Sequence, residues 1–132
     1  MIIGIGTDIV SIDRIKNILE KYEAKFVQRI FSEHEQQSAN TKENKAAYYA
    51  KRFACKEAVV KALGSGIAQG IQFKDISVEN LPSGKPSIVL YGKALEKLKS
   101  LTENGKEARI HISITDESSF AQSFAIIESV CT

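Results

Sequence analysis

Alanine recurs at every fourth position along one segment, at 46, 50, 54, 58 and 62. Residues four apart share a helix face, so these five form one smooth row on a helix running from about Lys45 to Leu63. A row without side-chain bulk packs only against a surface that comes equally close. The N-terminal "MIIGIGTDIV" offers one. As a strand it places Ile3, Ile5, Thr7 and Ile9 on one face, and Gly4, Gly6 and Asp8 on the other. Two glycines on one strand face mark close approach of another backbone. If the two small faces meet, Asp8 moves toward the helix.

The other elements follow from periodicity. Ile12, Ile15, Ile18, Leu19 and Tyr22 recur at helical spacing, and Phe26, Val27, Ile30 and Phe31 continue the pattern after a bend. "SEHE" at 32–35 is a capping box that starts a short helix. Gly64 caps the long helix, and "GSGIAQG" reads as a flexible loop. "FKDISVEN" and "PSIVLYG" flank the turn "LPSGK", residues 92–101 read as helix, and "ARIHISIT" and "SFAQSFAIIES" form a last strand pair. The expected fold is α+β: one domain over 1–132, with an antiparallel sheet packed on one long helix.

Net charge is +2, too small to argue for nucleic acid. No apolar run approaches the roughly 20 residues that span a bilayer. The two cysteines, Cys55 and Cys131, make neither a disulfide framework nor a zinc spacing, which favours a reducing, cytoplasmic setting.

Charge on the long helix is uneven. Glu57 is the one acid within residues 49–66, among Lys51, Arg52, Lys56 and Lys61. Glu57 and Lys61 share a face, and the bland reading is an exposed pair contributing about 0.3–0.5 kcal/mol. The other reading starts from enclosure of the helix and from Asp8 converging on Glu57. Two carboxylates beside several cations suit a hard divalent ion plus phosphates, since magnesium takes one or two carboxylates and fills its shell with water and substrate oxygens. The cations then hold the remaining phosphate charge. Cys55 lacks a paired base, and His111 alternates with isoleucines on a strand, so both read as structural. A second basic cluster, Arg14, Lys16, Lys21, Lys25 and Arg29, lies on the first helix and is either a solvated face or a docking surface for an acidic partner.

"GIGTDIVSIDRI" followed by "RFACKEAVVKALGSGI" resembles the bacterial holo-acyl-carrier-protein synthases, the small 4′-phosphopantetheinyl transferases. Their early Gly-x-Asp and later Phe-Ala-x-Lys-Glu-Ala-x-x-Lys-Ala are filled by Gly6, Asp8, Phe53, Ala54, Lys56, Glu57, Ala58, Lys61 and Ala62. "GIQFKDISV", "GKPSI" and "HISIT" extend the likeness over nearly the whole chain. The resemblance implies a 4′-phosphopantetheinyl transferase-like fold. It also implies transfer of the phosphopantetheine arm of coenzyme A to a serine of apo acyl carrier protein, for fatty acid biosynthesis, with release of adenosine 3′,5′-bisphosphate. Asp8 and Glu57 would hold magnesium against the pyrophosphate, and Lys61 would neutralise charge as the diphosphate bond breaks. Arg52, Lys56 and Gly64 would assist at the coenzyme. Arg14, with Lys21, Lys25 and Arg29, would receive the acidic carrier, and three chains would assemble around clefts between subunits. Either Glu57 or a magnesium-bound water it orients would take the serine proton. One position departs from the family: Asp116 stands where histidine is common, and is expected to face a cation or solvent. The competing readings are a non-catalytic binding module and a magnesium-dependent phosphohydrolase.

Overall fold

A computed structural model describes residues 1–64 and 69–132. The chain runs β1 (Ile2–Ser11), α1 (Ile12–Ile30), α2 (Glu33–Ala39), α3 (Lys45–Leu63), a 3-10 turn (Phe73–Asp75), β2 (Ile76–Asn80), β3 (Pro86–Leu90), α4 (Gly92–Leu101), β4 (Lys106–Glu117) and β5 (Phe120–Cys131). Most of the loop expected after Gly64 lies outside the described residues.

The strands form two antiparallel sheets, where one was expected: β1-β5-β4 and a separate β2-β3 hairpin. Alternating sequence identifies strands but not their partners. The free edge of β2 is taken by side chains: Glu35 accepts from Val78 N–H at 2.7 Å, and the Lys56 ammonium donates to the carbonyl of Ile76. With those groups satisfied, β2 has no need of a further strand.

Local chemistry sets the helix ends. Ser11 caps α1 by accepting from Arg14 N–H, and Asn44 caps α3 through Ala47 N–H at 3.0 Å. Gly64 ends α3 in the left-handed region at φ 75°. Helix α1 kinks at Tyr22 (φ −138°, ψ 34°). The kink explains why Tyr22, expected on the apolar face, is 60% exposed.

Helix α3 is the centre of the core. Ala50, Ala54, Ala58 and Ala62 are all buried, and β1 lies across them. A Cβ on Gly4 would sit 2.0 Å from the carbonyl oxygen of Ala62, and one on Gly6 equally close to that of Ala58. No side chain fits there. The β1–β5 register slips between Ile2 and Gly4. That bulge lets Ile3 turn inward and pack on the core, against simple alternation. The opposite sheet face is open and apolar, with Ile5, Ile9, Phe120 and Phe124 exposed. Among the described residues no helix is long and apolar enough to cross a membrane.

Gly6→Ala is therefore expected to cost about 3 kcal/mol, because the added methyl must pry β1 off α3. Urea unfolding followed by circular dichroism measures it; an unchanged midpoint would contradict so close a contact.

Candidate functional site

The contact of β1 with α3 brings Asp8, Glu57 and Lys61 together. The Lys61 ammonium donates to the Thr7 carbonyl at 2.9 Å and to Asp8 Oδ1 at 3.2 Å. Asp8 is mostly covered (side chain 19% exposed), while Lys61 remains open (55%). The Glu57 carboxyl is held above its ordinary range, first by burial and then by the Asp8 charge; Lys61 and Arg14 oppose that shift. The Arg14 charge, on α1, is thus felt at Glu57. Among the described residues Lys61 pairs with Asp8 and not with Glu57.

Two half-enclosed carboxylates repel one another, and the cation nearest them is exposed. That arrangement fits a divalent ion that completes its shell with water and phosphate oxygens. Among the described residues no group of three or more histidine, cysteine or acidic side chains forms an all-protein metal cage. Asp8 and Glu57 are the side chains suited to such an ion.

Lys56 departs from expectation. It was expected at the phosphates, yet its side chain is fully buried and points into the interior. Its ammonium donates to Glu35 Oε1 at 2.7 Å, to the carbonyl of Phe73 at 3.0 Å and to that of Ile76. Burial lowers its pKa, and Glu35 pulls it back up. All three N–H donors are used within the fold, so none faces a ligand. Sequence reading assigned Glu35 only its capping role. It does form the capping box with Ser32, but it is also wholly buried. A lysine on an enclosed helix needs a buried acid, and that requirement was the available signal.

Arg52 lies elsewhere on α3. Its guanidinium stacks over Tyr48 at 4.3 Å, and it lines a cleft of about 480 Å³ with Lys42, Lys51 and Asp116. Asp116 is exposed and lines that cleft together with the three cations. Gly64 is exposed at the end of α3. On α1, Lys25 and Arg29 border a larger, apolar cleft of about 760 Å³ between α1 and residues 71–74. Lys21 is exposed on the same helix but does not line it. Ile18 and Phe26, read from their spacing as the apolar face of the first helix, also wall this cleft, with Phe73 opposite.

The remaining candidates are structural. The Cys55 thiol is buried and pushed up to about 11 by desolvation, so it stays neutral at physiological pH. His111 pairs with Glu128 at 2.8 Å on the outer sheet face, and that contact holds the Glu128 carboxyl below its ordinary value.

The family model described as 4′-phosphopantetheinyl transferase superfamily matches residues 4–125. The chain belongs to this superfamily. A relative from Mesorhizobium japonicum, named holo-[acyl-carrier-protein] synthase, is 51% identical over 130 residues, covering 98% of this chain and 95% of the relative. The crystal structure of holo-[acyl-carrier-protein] synthase from Neisseria meningitidis superposes with a TM-score of 0.83 at 38% identity, over 97% of this chain and 99% of that one. That from Helicobacter pylori, in complex with coenzyme A, gives 0.78 at 31% identity, over 94% and 99%. The phosphopantetheinyl transferase fold expected from "RFACKEAVVKALGSGI" is the fold observed.

Proposed function

We propose that this chain is a holo-[acyl-carrier-protein] synthase that moves 4′-phosphopantetheine from coenzyme A to a serine of apo acyl carrier protein. The convergence of Asp8, Glu57 and Lys61 at the β1–α3 contact carries the reading, in a chain so similar to proteins of that name. The Helicobacter pylori relative bound to coenzyme A supports the choice of donor. A cytosolic setting and a place in fatty acid biosynthesis belong to the same proposal.

The chemistry is displacement at phosphorus, where positioning and charge stabilisation matter most. Asp8 and Glu57 would hold a magnesium ion, which supplies positive charge to the pyrophosphate of the coenzyme. Lys61, steadied by Asp8 and the Thr7 carbonyl, presents its ammonium to the same oxygens. Charge on the departing adenosine 3′,5′-bisphosphate grows as the bridging P–O bond breaks, and Lys61 offsets it. The new bond forms between the serine oxygen and phosphorus. Glu57, or a magnesium-bound water that it orients, would take the serine proton. Arg52, with Lys42 and Lys51, offers further positive charge for phosphate in its own cleft.

The acidic carrier would lie along α1. Arg14, Ile18 and Tyr22 follow at four-residue spacing from the Glu57 site to the apolar cleft, where Lys25 and Arg29 stand. Exposed Ile5, Ile9 and Phe124 make a contiguous apolar face on the sheet, of the kind that marks an interaction surface. A closed ring of three chains would cover it.

Incubation with coenzyme A, magnesium and apo carrier should add one phosphopantetheine to the carrier by mass spectrometry; an unmodified carrier would overturn the assignment. Glu57→Gln should fold normally and lose about two orders of magnitude in turnover, with the loss deepest at limiting magnesium. Near-normal rates there would remove Glu57 from the metal site. The Arg14 charge also acts on Glu57, so Arg29→Glu is the cleaner probe of docking. It should raise KM for the carrier about tenfold and leave KM for coenzyme A unchanged, and salt should slow the wild-type reaction because exposed charges are screened beyond about 8 Å. Unchanged carrier kinetics would place docking elsewhere. Sedimentation equilibrium should return three chain masses; a fully active monomer would refute the ring.

A further inference from the structure

We infer that the buried Glu35–Lys56 pair is a positioning device for carrier recognition, holding one wall of the α1 cleft at a fixed distance from α3. The inference rests on reading that cleft as the carrier's seat. One wall is α1, with Ile18, Phe26 and Arg29; the facing wall is the short stretch that holds Ile71, Phe73 and Lys74. That stretch is a single 3-10 turn leading into β2, with little structure of its own. Its backbone is tied to α3 through Lys56, which binds the carbonyls of Phe73 and Ile76. Glu35 completes the tie. One oxygen takes Lys56 and the Ser32 N–H (2.7 and 2.8 Å), and the other takes the Val78 N–H. The Ser32 and Ser77 hydroxyls meet at 2.8 Å and close the network.

Stability alone does not account for this arrangement. Apolar residues of similar volume often replace a buried ion pair without loss. Hydrogen bonds differ from apolar contacts in fixing distance and direction closely. Here they fix the backbone of the turn against two helices. The ring of Phe73 packs on Phe53 at 5.6 Å, and Phe53 on Phe26 at 6.2 Å, so both walls also meet α3 through rings. Rings alone can slide; the Lys56 ammonium sets where they stop. The catalytic trio is placed by a different contact, that of Gly4 and Gly6 with Ala62 and Ala58. Disturbing the pair should therefore alter carrier binding and spare the chemistry.

The test uses Lys56→Met, which keeps the side-chain length and removes all three hydrogen bonds, and Ser77→Ala, a milder cut at the edge of the network. Folding is checked by circular dichroism, and steady-state kinetics are measured with coenzyme A and apo carrier. In folded Lys56→Met, KM for the carrier should rise about tenfold, while kcat at saturating carrier and KM for coenzyme A stay within about twofold. Ser77→Ala should shift carrier KM in the same direction by about threefold, and it decides the matter if Lys56→Met does not fold. Unchanged carrier KM, or kcat and both KM values worsening together, would overturn the positioning role. If Arg29→Glu raises carrier KM and these variants do not, the positioning inference fails alone. If Arg29→Glu has no effect either, the cleft is not the carrier's seat and both readings fall. A wild-type chain that transfers nothing would refute the proposed reaction itself.

Discussion

Backbone-to-backbone packing of β1 on α3 is the constraint on which the active geometry depends. Gly4 lies over Ala62 and Gly6 over Ala58, so strand and helix run in opposite directions. Two strand residues advance about 6.6 Å and four helix residues about 6 Å, so the two rows stay in step. The next strand position in the row is Asp8, level with the turn before Ala58. Helical side chains lean toward the N-terminus, so Lys61 reaches back along α3 to Thr7 and Asp8. Glu57, beside Ala58, completes the group. Any side chain at Gly6 would lift the strand and separate a carboxylate from its partners at the same time.

This much was legible because it depends on period and size alone. The fourfold alanine repeat, the twofold alternation in β1 and the Ser32 capping box each act within one element. The parts that sequence missed depend on contacts between elements. Lys56 carries the same charge as Lys61, and nothing local distinguishes a lysine that meets Glu35 inside the core from one that meets Asp8 at its edge. Ile3 turns inward because of a register slip against β5, a property of two strands together. The bend expected between Tyr22 and Phe26 is the kink at Tyr22, but the apolar spacing placed that ring inward and the kink turns it outward. The split into two sheets follows from the same Glu35 and Lys56, whose side chains occupy the edge of β2.

The two charged clusters on α3 differ in how completely they are balanced. At Lys56 every donor has an acceptor, and the group has nothing left for a ligand. At Glu57 the balance is incomplete. Burial and Asp8 raise its pKa, so between the ordinary carboxylate range and the raised value the folded chain binds more protons than the unfolded one. By linkage, the contribution of Glu57 to stability is fully present at low pH and is lost as pH rises through its folded pKa. A divalent cation held by these carboxylates, as proposed, would act against that loss, because it would favour the ionised form. Full compensation suits a structural role, and partial compensation leaves a site able to bind.

The same packing sorts side chains by size along β5. On the buried face of β5, Ala121, Ser123 and Ala125 are small, and only further along does the row admit the bulkier Ile127. The large side chains, Phe120 and Phe124, alternate to the other face, beside Ile5 and Ile9 of β1. The outer face of the sheet thus leaves these four large apolar side chains uncovered within one chain. The proposed ring of three would bury them. The small residues that set Asp8 against Glu57 and the large ones that the proposed ring would cover lie on opposite faces of one sheet, so a substitution that loosens α3 from it should, on this proposal, disturb catalysis and assembly together.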